Sequence, residues 1–193
     1  MTQTRRMGVE GSNQRTVLID AAEAILCEVG YIGLSSRNVA LKAGLTKQLL
    51  YYYFRTMDDL VLALVRRINE RRLERFESAL ASAEPLKALW ALNRDASGAA
   101  LATELTAIAS HREAIRAEII TSAQQFRALQ IRTVAAQLAK LGKSDQSAAG
   151  MVMIAAALAK TITSEAALGL TEGHAEALTI VEQMLAELSA PGT

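Results

Sequence analysis

Lys47, Gln48, Tyr51, Tyr52 and Tyr53 fall within one seven-residue stretch, and no Asp or Glu occurs between Val29 and Met57. Gln48 carries the paired donor and acceptor that match the major-groove edge of adenine, and Lys47 and Arg37 can reach guanine or a phosphate. Tyrosine hydroxyls can donate to phosphates, while the rings touch sugars and thymine methyls. Ser35, Ser36 and Thr46 stand where helices are expected to start, so their hydroxyls and backbone N–H groups suit phosphates. An acid-free, basic, tyrosine-rich stretch therefore has the chemistry of a nucleic-acid surface. The plainer reading is a tyrosine-rich packing face beside a solvated basic one.

Charge along the chain points the same way. Residues 1–55 hold seven Lys or Arg against four acids, and the remainder holds 14 against 16. A small basic segment joined to a larger, slightly acidic one hints at a nucleic-acid partner. The net charge of +1 argues against a strongly polyanion-seeking chain.

The elements that must hold these residues read as helices. The first fits Asn13 to Val29, with Ser12 as cap and Leu18, Ala22, Ile25, Leu26 and Val29 at helical spacing. Gly30 stops it. A short helix follows, capped by Ser35 and ended by Gly44. Only Leu45 separates that stop from the next cap, Thr46, and a helix from Lys47 to Phe54. Two short helices joined by a tight glycine-containing turn form the pattern of a helix-turn-helix. At about 100° per residue, Leu50 and Phe54 define the buried face of the second helix. Tyr52 then points nearly opposite, with Gln48 and Leu49 on its side and Tyr51 and Tyr53 on the flanks.

Beyond Arg55, Thr56 caps a long helix to about Ala83, with Asp58 and Asp59 in its first turn, where carboxylates suit the helix dipole. Pro85 opens a helix through Trp90. Further helices are expected at 97–109, 111–141, 145–169 and 171–188, with Ser110, Ser144 and Thr171 as caps and Gly142 and Gly169 as stops. The fold class is all-α: an N-terminal three-helix DNA-binding domain over 1–56 and a C-terminal helical bundle over 57–193.

Several functions find no residues to carry them. The single cysteine, Cys27, cannot form an internal disulfide, which suits a reducing compartment. The longest uncharged run near the C-terminus, Gln146 to Ala159, is shorter than the ~20 residues of a membrane span. A soluble cytoplasmic protein without a membrane partner is expected. No phosphate-binding loop, nucleophile elbow or His-Glu-x-x-His motif is present, and His111 and His174 lie far apart. No enzyme activity, catalytic residue, metal or cofactor is expected. The Ala-, Gly- and Met-rich stretch over 148–169, with a stripe of Leu178, Val181, Leu185 and Leu188, predicts a dimer interface.

The stretch from Leu34 to Leu64 resembles the N-terminal domain of the tetracycline-repressor (TetR) family of bacterial transcriptional regulators. Ala40, Ala43, Gly44, Leu45, Thr46, Leu50, Tyr51, Tyr53, Phe54, Thr56, Asp58, Asp59 and Leu60 meet its pattern. The resemblance implies an all-helical homodimer that binds a pseudo-palindromic operator through its first three helices. It implies a repressor released by a small-molecule effector, held in a cavity among the middle helices. By position, Ser36, Arg37, Thr46, Lys47, Gln48, Tyr51, Tyr52 and Tyr53 match residues that touch DNA in the family. Leu49 stands where Thr, Ser or Ala is usual and Met57 where Lys is usual, and each change removes a phosphate contact. A helical dimeric interaction protein with weakened or lost DNA binding is the second reading, and those two positions are its support. Trp90, Asn93, Thr121 and Gln125 are the polar or aromatic candidates for contact with an effector of unknown identity.

Overall fold

The computed structural model describes residues 3–189. These form nine α-helices, two single-turn 3-10 helices and no strand, so the all-α expectation holds. The helices are α1 (Gln3–Glu28), α2 (Ser36–Ala43), α3 (Lys47–Tyr53), α4 (Met57–Leu80), α5 (Pro85–Asn93), α6 (Ala99–Ala109), α7 (Glu113–Lys140), α8 (Ala148–Ala166) and α9 (His174–Ser189). Two compact units result. The first takes the chain up to Asn69 together with Ala100–Ile120, and the second takes Glu70–Ala99 and the chain from Thr121 onward. The boundary expected near residue 56 falls inside the first unit. Both α4 and α7 contribute their first turns to one unit and the remainder to the other.

In the first unit α1 starts at Gln3, not Asn13. No proline precedes Pro85, so nothing forbids helix before Ser12. Leu18, Ala22, Ile25 and Leu26 are buried as their spacing requires, but α1 ends at Glu28 and Val29 leaves the register, 57% exposed. The buried stripe joins Val39 of α2, Leu50 of α3 and Leu60 and Leu64 of α4 in one continuous core. Leu101, Leu105 and Ile108 of α6 and Ile115 of α7 complete it. Each such side chain contributes roughly 1.5–3 kcal/mol by leaving water.

Local signals set the turns. Ser35 Oγ accepts from the Asn38 N–H at 3.2 Å and starts α2. Gly44 ends it in the left-handed conformation, at φ 66°, which side chains with a Cβ resist. Thr46 Oγ1 accepts from the Leu49 N–H at 3.2 Å and starts α3. Thr56 and Asp59 cap each other's backbone N–H, at 3.1 and 3.0 Å, at the start of α4, a reciprocal arrangement that satisfies two otherwise orphaned donors. From α6, the Glu104 carboxylate accepts from the Tyr31 N–H at 2.7 Å and so holds the link between α1 and α2.

The second unit has two smaller cores. Phe76, Ala79, Leu89 and Phe126 form one, and Leu86, Leu138 and Leu188 the other. Pro85 occupies the first turn of α5, where its missing N–H costs nothing. Ser147, not Ser144, caps α8 by accepting from the Gly150 N–H at 3.1 Å. The last helix starts at His174, whose N–H reaches the Thr171 carbonyl at 3.2 Å and whose Nε2 lies 2.8 Å from Glu165 Oε2. By length and composition α8 would suffice to cross a membrane, which the uncharged run alone did not suggest. Lys160 and Glu165 interrupt it, however, and Val152, Ala159 and Ile162 are buried in the protein.

Candidate nucleic-acid interface and cavity

The geometry of α3 follows from two buried anchors. Leu50 is 0% exposed and Phe54 2%, so the opposite side of the helix must face outward, and Tyr52 there is 76% exposed. Lys47, Gln48 and Tyr51 are exposed beside it. Tyr53 turns inward instead. Its hydroxyl donates to Gln14 Oε1 at 3.1 Å, and its ring meets that of Tyr52 edge-on at 5.0 Å between centroids. Of the three adjacent tyrosines, one is free, one is flanking and one braces α3 against α1.

Around this face Arg37 and Thr46 are exposed and Ser36 is half-buried at the start of α2. Lys42 pairs with Glu28, whereas Arg37, Lys47 and Arg55 have no ion pair among the described residues. The Thr46 hydroxyl accepts within its cap, which leaves its own O–H free to donate. The two departures from the family pattern have structural reasons. Leu49, expected on the outer side, is half-buried, and Met57 packs against the core of the unit. Neither carries a group for a phosphate.

The second unit contains a pocket of about 140 Å³ between α5, α7, α8 and α9, open to the surface beside the exposed Ile154 and Met184. Its walls are aliphatic apart from Trp90, Asn93 and Gln130. Gln130 Nε2 donates to Asn93 Oδ1 at 3.1 Å. The Trp90 Nε1–H is buried without a partner, as is Arg67 Nε in the first unit. Of the four residues proposed for an effector, Trp90 and Asn93 line this cavity. Thr121 and Gln125 are exposed on α7 and do not, because they fall on the solvent side of a helix whose inner face holds Ser122, Phe126 and Gln130. Gln130 was legible as the next polar residue on that inner face, four positions after Phe126.

The remaining reactive side chains stand apart from both sites. No group of His, Cys, Asp or Glu suited to a metal occurs among the described residues. Cys27 is exposed, and local desolvation with the Glu23 and Glu28 carboxylates pushes its thiol pKa up. That direction works against the thiolate that nucleophilic chemistry would need.

An exposed, acid-free second helix of a helix-turn-helix is the geometry that DNA-binding proteins lay into the major groove. Residues 18–64 match the model of the bacterial regulatory proteins of the tetR family. Residues 18–64 thus form a DNA-binding domain like that of the tetR-family regulators. No curated protein matches the chain. Solved structures share the fold. A transcriptional regulator from Pseudomonas aeruginosa PAO1 superposes with a TM-score of 0.75 at 21% identity, covering 92% of this chain and 91% of its own. A TetR transcription regulator from Haloarcula marismortui ATCC 43049 gives 0.73 at 20% identity, covering 92% and 97%. A regulator from Saccharomonospora viridis, solved with choline, gives 0.71 at 17% identity, covering 82% and 87%.

Proposed function

We propose that the protein is a homodimeric cytoplasmic repressor that leaves its operator when a small molecule fills the cavity of the second unit. The observation that carries the DNA contact is the division of α3, with Leu50 and Phe54 sealed inside and Lys47, Gln48, Tyr51 and Tyr52 outside. Gln48 and Lys47 open the helix and read base edges. Arg37, Ser36, Thr46 and the Tyr52 hydroxyl hold phosphates, and Tyr53 positions α3 through Gln14. Val181, Leu185 and Leu188 of the expected dimer stripe face the chain's own pocket and core, because α9 packs on α5 with that side. The dimer reading rests instead on Met153, Ile154, Ile180 and Met184, apolar side chains exposed on α8 and α9 that a second copy would cover. Its two-fold symmetry makes the operator a pseudo-palindrome with half-sites about one helical turn apart or a little more.

Gel-shift with the DNA upstream of the protein's own gene tests the reading. Binding that Gln48→Ala weakens supports it, and no binding at low salt sinks it in favour of a helical interaction protein. Ile180→Glu should turn the dimer into a monomer in sedimentation, and a monomeric wild type at micromolar concentration would remove the dimer. Thermal shift against a metabolite library, followed by operator release, tests the effector.

A further inference from the structure

Arg15 stands on α1, one turn before Leu18 on the stripe that runs through Ala22 and Ile25 into the core. The residue is exposed, and its guanidinium lies over the Phe54 ring, 5.1 Å from the centroid, at the end of α3. Stacking on a ring fixes the plane of a guanidinium and leaves the N–H groups along its edges free. No hydrogen bond or ion pair of the Arg15 side chain occurs among the described residues. No Asp or Glu lies between Gly11 and Ile19. The acids of the adjoining segments are engaged elsewhere. Asp20 and Glu23 bind Arg67, Asp58 pairs with Arg112, and Asp59 caps the Thr56 N–H. A planar fork that is already oriented and has no acceptor suits two oxygens of one phosphate.

Its place beside α3 says which phosphate. Gln14, the preceding residue, accepts from the Tyr53 hydroxyl at 3.1 Å, and the Tyr53 ring meets that of the outward-facing Tyr52 edge-on. Arg55, exposed and without an ion pair among the described residues, follows Phe54 directly. An α-helix is about 10–12 Å across and the major groove about 12 Å wide, so groups beside a helix seated there meet the sugar-phosphate backbone. We propose that Arg15 is a DNA-phosphate contact, supplied by α1 from outside the helix-turn-helix and pre-oriented by the Phe54 ring. This rests on the DNA-binding reading above and adds to it one backbone anchor per half-site, of the kind that Leu49 and Met57 do not offer. The plainer role for the guanidinium is to cover Phe54, which is 2% exposed.

The test compares the full-length wild type with Arg15→Met, Arg15→Gln and Arg15→Lys. Each is titrated, over a series of salt concentrations, onto the DNA upstream of the protein's own gene and onto an unrelated duplex of equal length. The two neutral variants should lower the slope of log affinity against log salt by about 2, one phosphate lost in each of two half-sites. They should weaken both duplexes alike, by about ten- to a hundredfold at low salt, the worth of one hydrogen bond taken twice. Arg15→Lys should keep the wild-type slope and lose less affinity. Thermal melts of the same variants separate the two roles. A guanidinium that only covers Phe54 would lower the melting temperature and leave the slope unaltered. An unaltered slope in the neutral variants, a loss confined to the upstream DNA, or failure of both neutral variants to fold would overturn the proposal. A wild type that binds neither duplex would sink the DNA-binding reading and this inference with it. Wild-type binding with unaltered slopes in the variants would sink this one alone.

Discussion

The two units spend their apolar residues differently. The first gathers Leu18, Leu26, Leu50, Leu60, Leu64, Leu101 and Ile115 into a single core without a break. The second divides a smaller set between the Phe76–Phe126 cluster and the Leu86–Leu138–Leu188 cluster, keeps a pocket bordered by the exposed Ile154 and Met184, and leaves Met153 and Ile180 outside. A surface that reads DNA must hold its side chains to fractions of an ångström, which a filled core enforces. The ligand and the second copy proposed for the other unit would need space and uncovered apolar surface. The contrast teaches that one chain can be finished in one half and deliberately incomplete in the other.

The sharpest break of that contrast is truncation inside the filled core. Leu64→Ala should cost about 2–5 kcal/mol in denaturant unfolding, because the surrounding side chains cannot collapse into the space. A loss under about 1 kcal/mol, below the range for buried leucines, would mean the first unit is not the rigid half. Overfilling gives the paired test. Ala22 is fully buried. Ala22→Leu should cost about 1–3 kcal/mol, the usual result of forcing extra methylenes into a packed core. Ala155 stands in the wall of the cavity, so Ala155→Leu should be near neutral in stability while abolishing ligand binding. Equal costs at both sites would erase the distinction.

Smaller effects sharpen the picture at the surface. Gln48→Ala should cost about 1–3 kcal/mol and relax preference at one base pair in each half-site, whereas Tyr52→Phe should weaken all sites alike. Binding of both variants to a panel of operator sequences at two salt concentrations separates them. Uniform loss for Gln48→Ala would show it is not a base reader.

The smallest effect concerns pH in the second unit. The Ser97 backbone N–H and hydroxyl, then the Arg75 guanidinium, hold the Asp95 carboxyl at about 2, below its ordinary 3.8. A depressed folded value stabilises above the unfolded one, so this contribution is whole above about pH 4 and is lost as pH falls toward about 2. Asp95→Asn should therefore flatten acid unfolding in that window and change little near neutrality. An unaltered acid limb would show that the partners of Asp95 do not outlast other local changes.

Much of this was legible in the sequence because it is local. Ser35, Gly44, Thr46, Thr56 and Pro85 each act on backbone within four residues, and the helices begin and end where those side chains permit. The outward turn of Tyr52 followed from a rotation angle alone. What stayed hidden is non-local. The apolar spacing of Leu101, Leu105 and Ile108 announces a buried face but not its partner, so their place in the first unit could not be read. The inward turn of Tyr53 depended on Gln14, 39 residues away. Thr121 and Gln125 were chosen for polarity, and polarity does not tell which side of a long helix meets a cavity.

The hold of Glu104 on the Tyr31 N–H, with Leu101, Leu105 and Ile115 beneath it, bears on heredity as well as architecture. A reading head whose core is finished by residues from the middle of the gene cannot travel as a cassette. Recombination that grafted residues 1–64 onto a foreign sensor would strand Leu60 and Leu64 against whatever new helix arrived. Exchange of residues 1–64 alone would therefore open this core, whereas point changes at the exposed positions of α3 leave it intact.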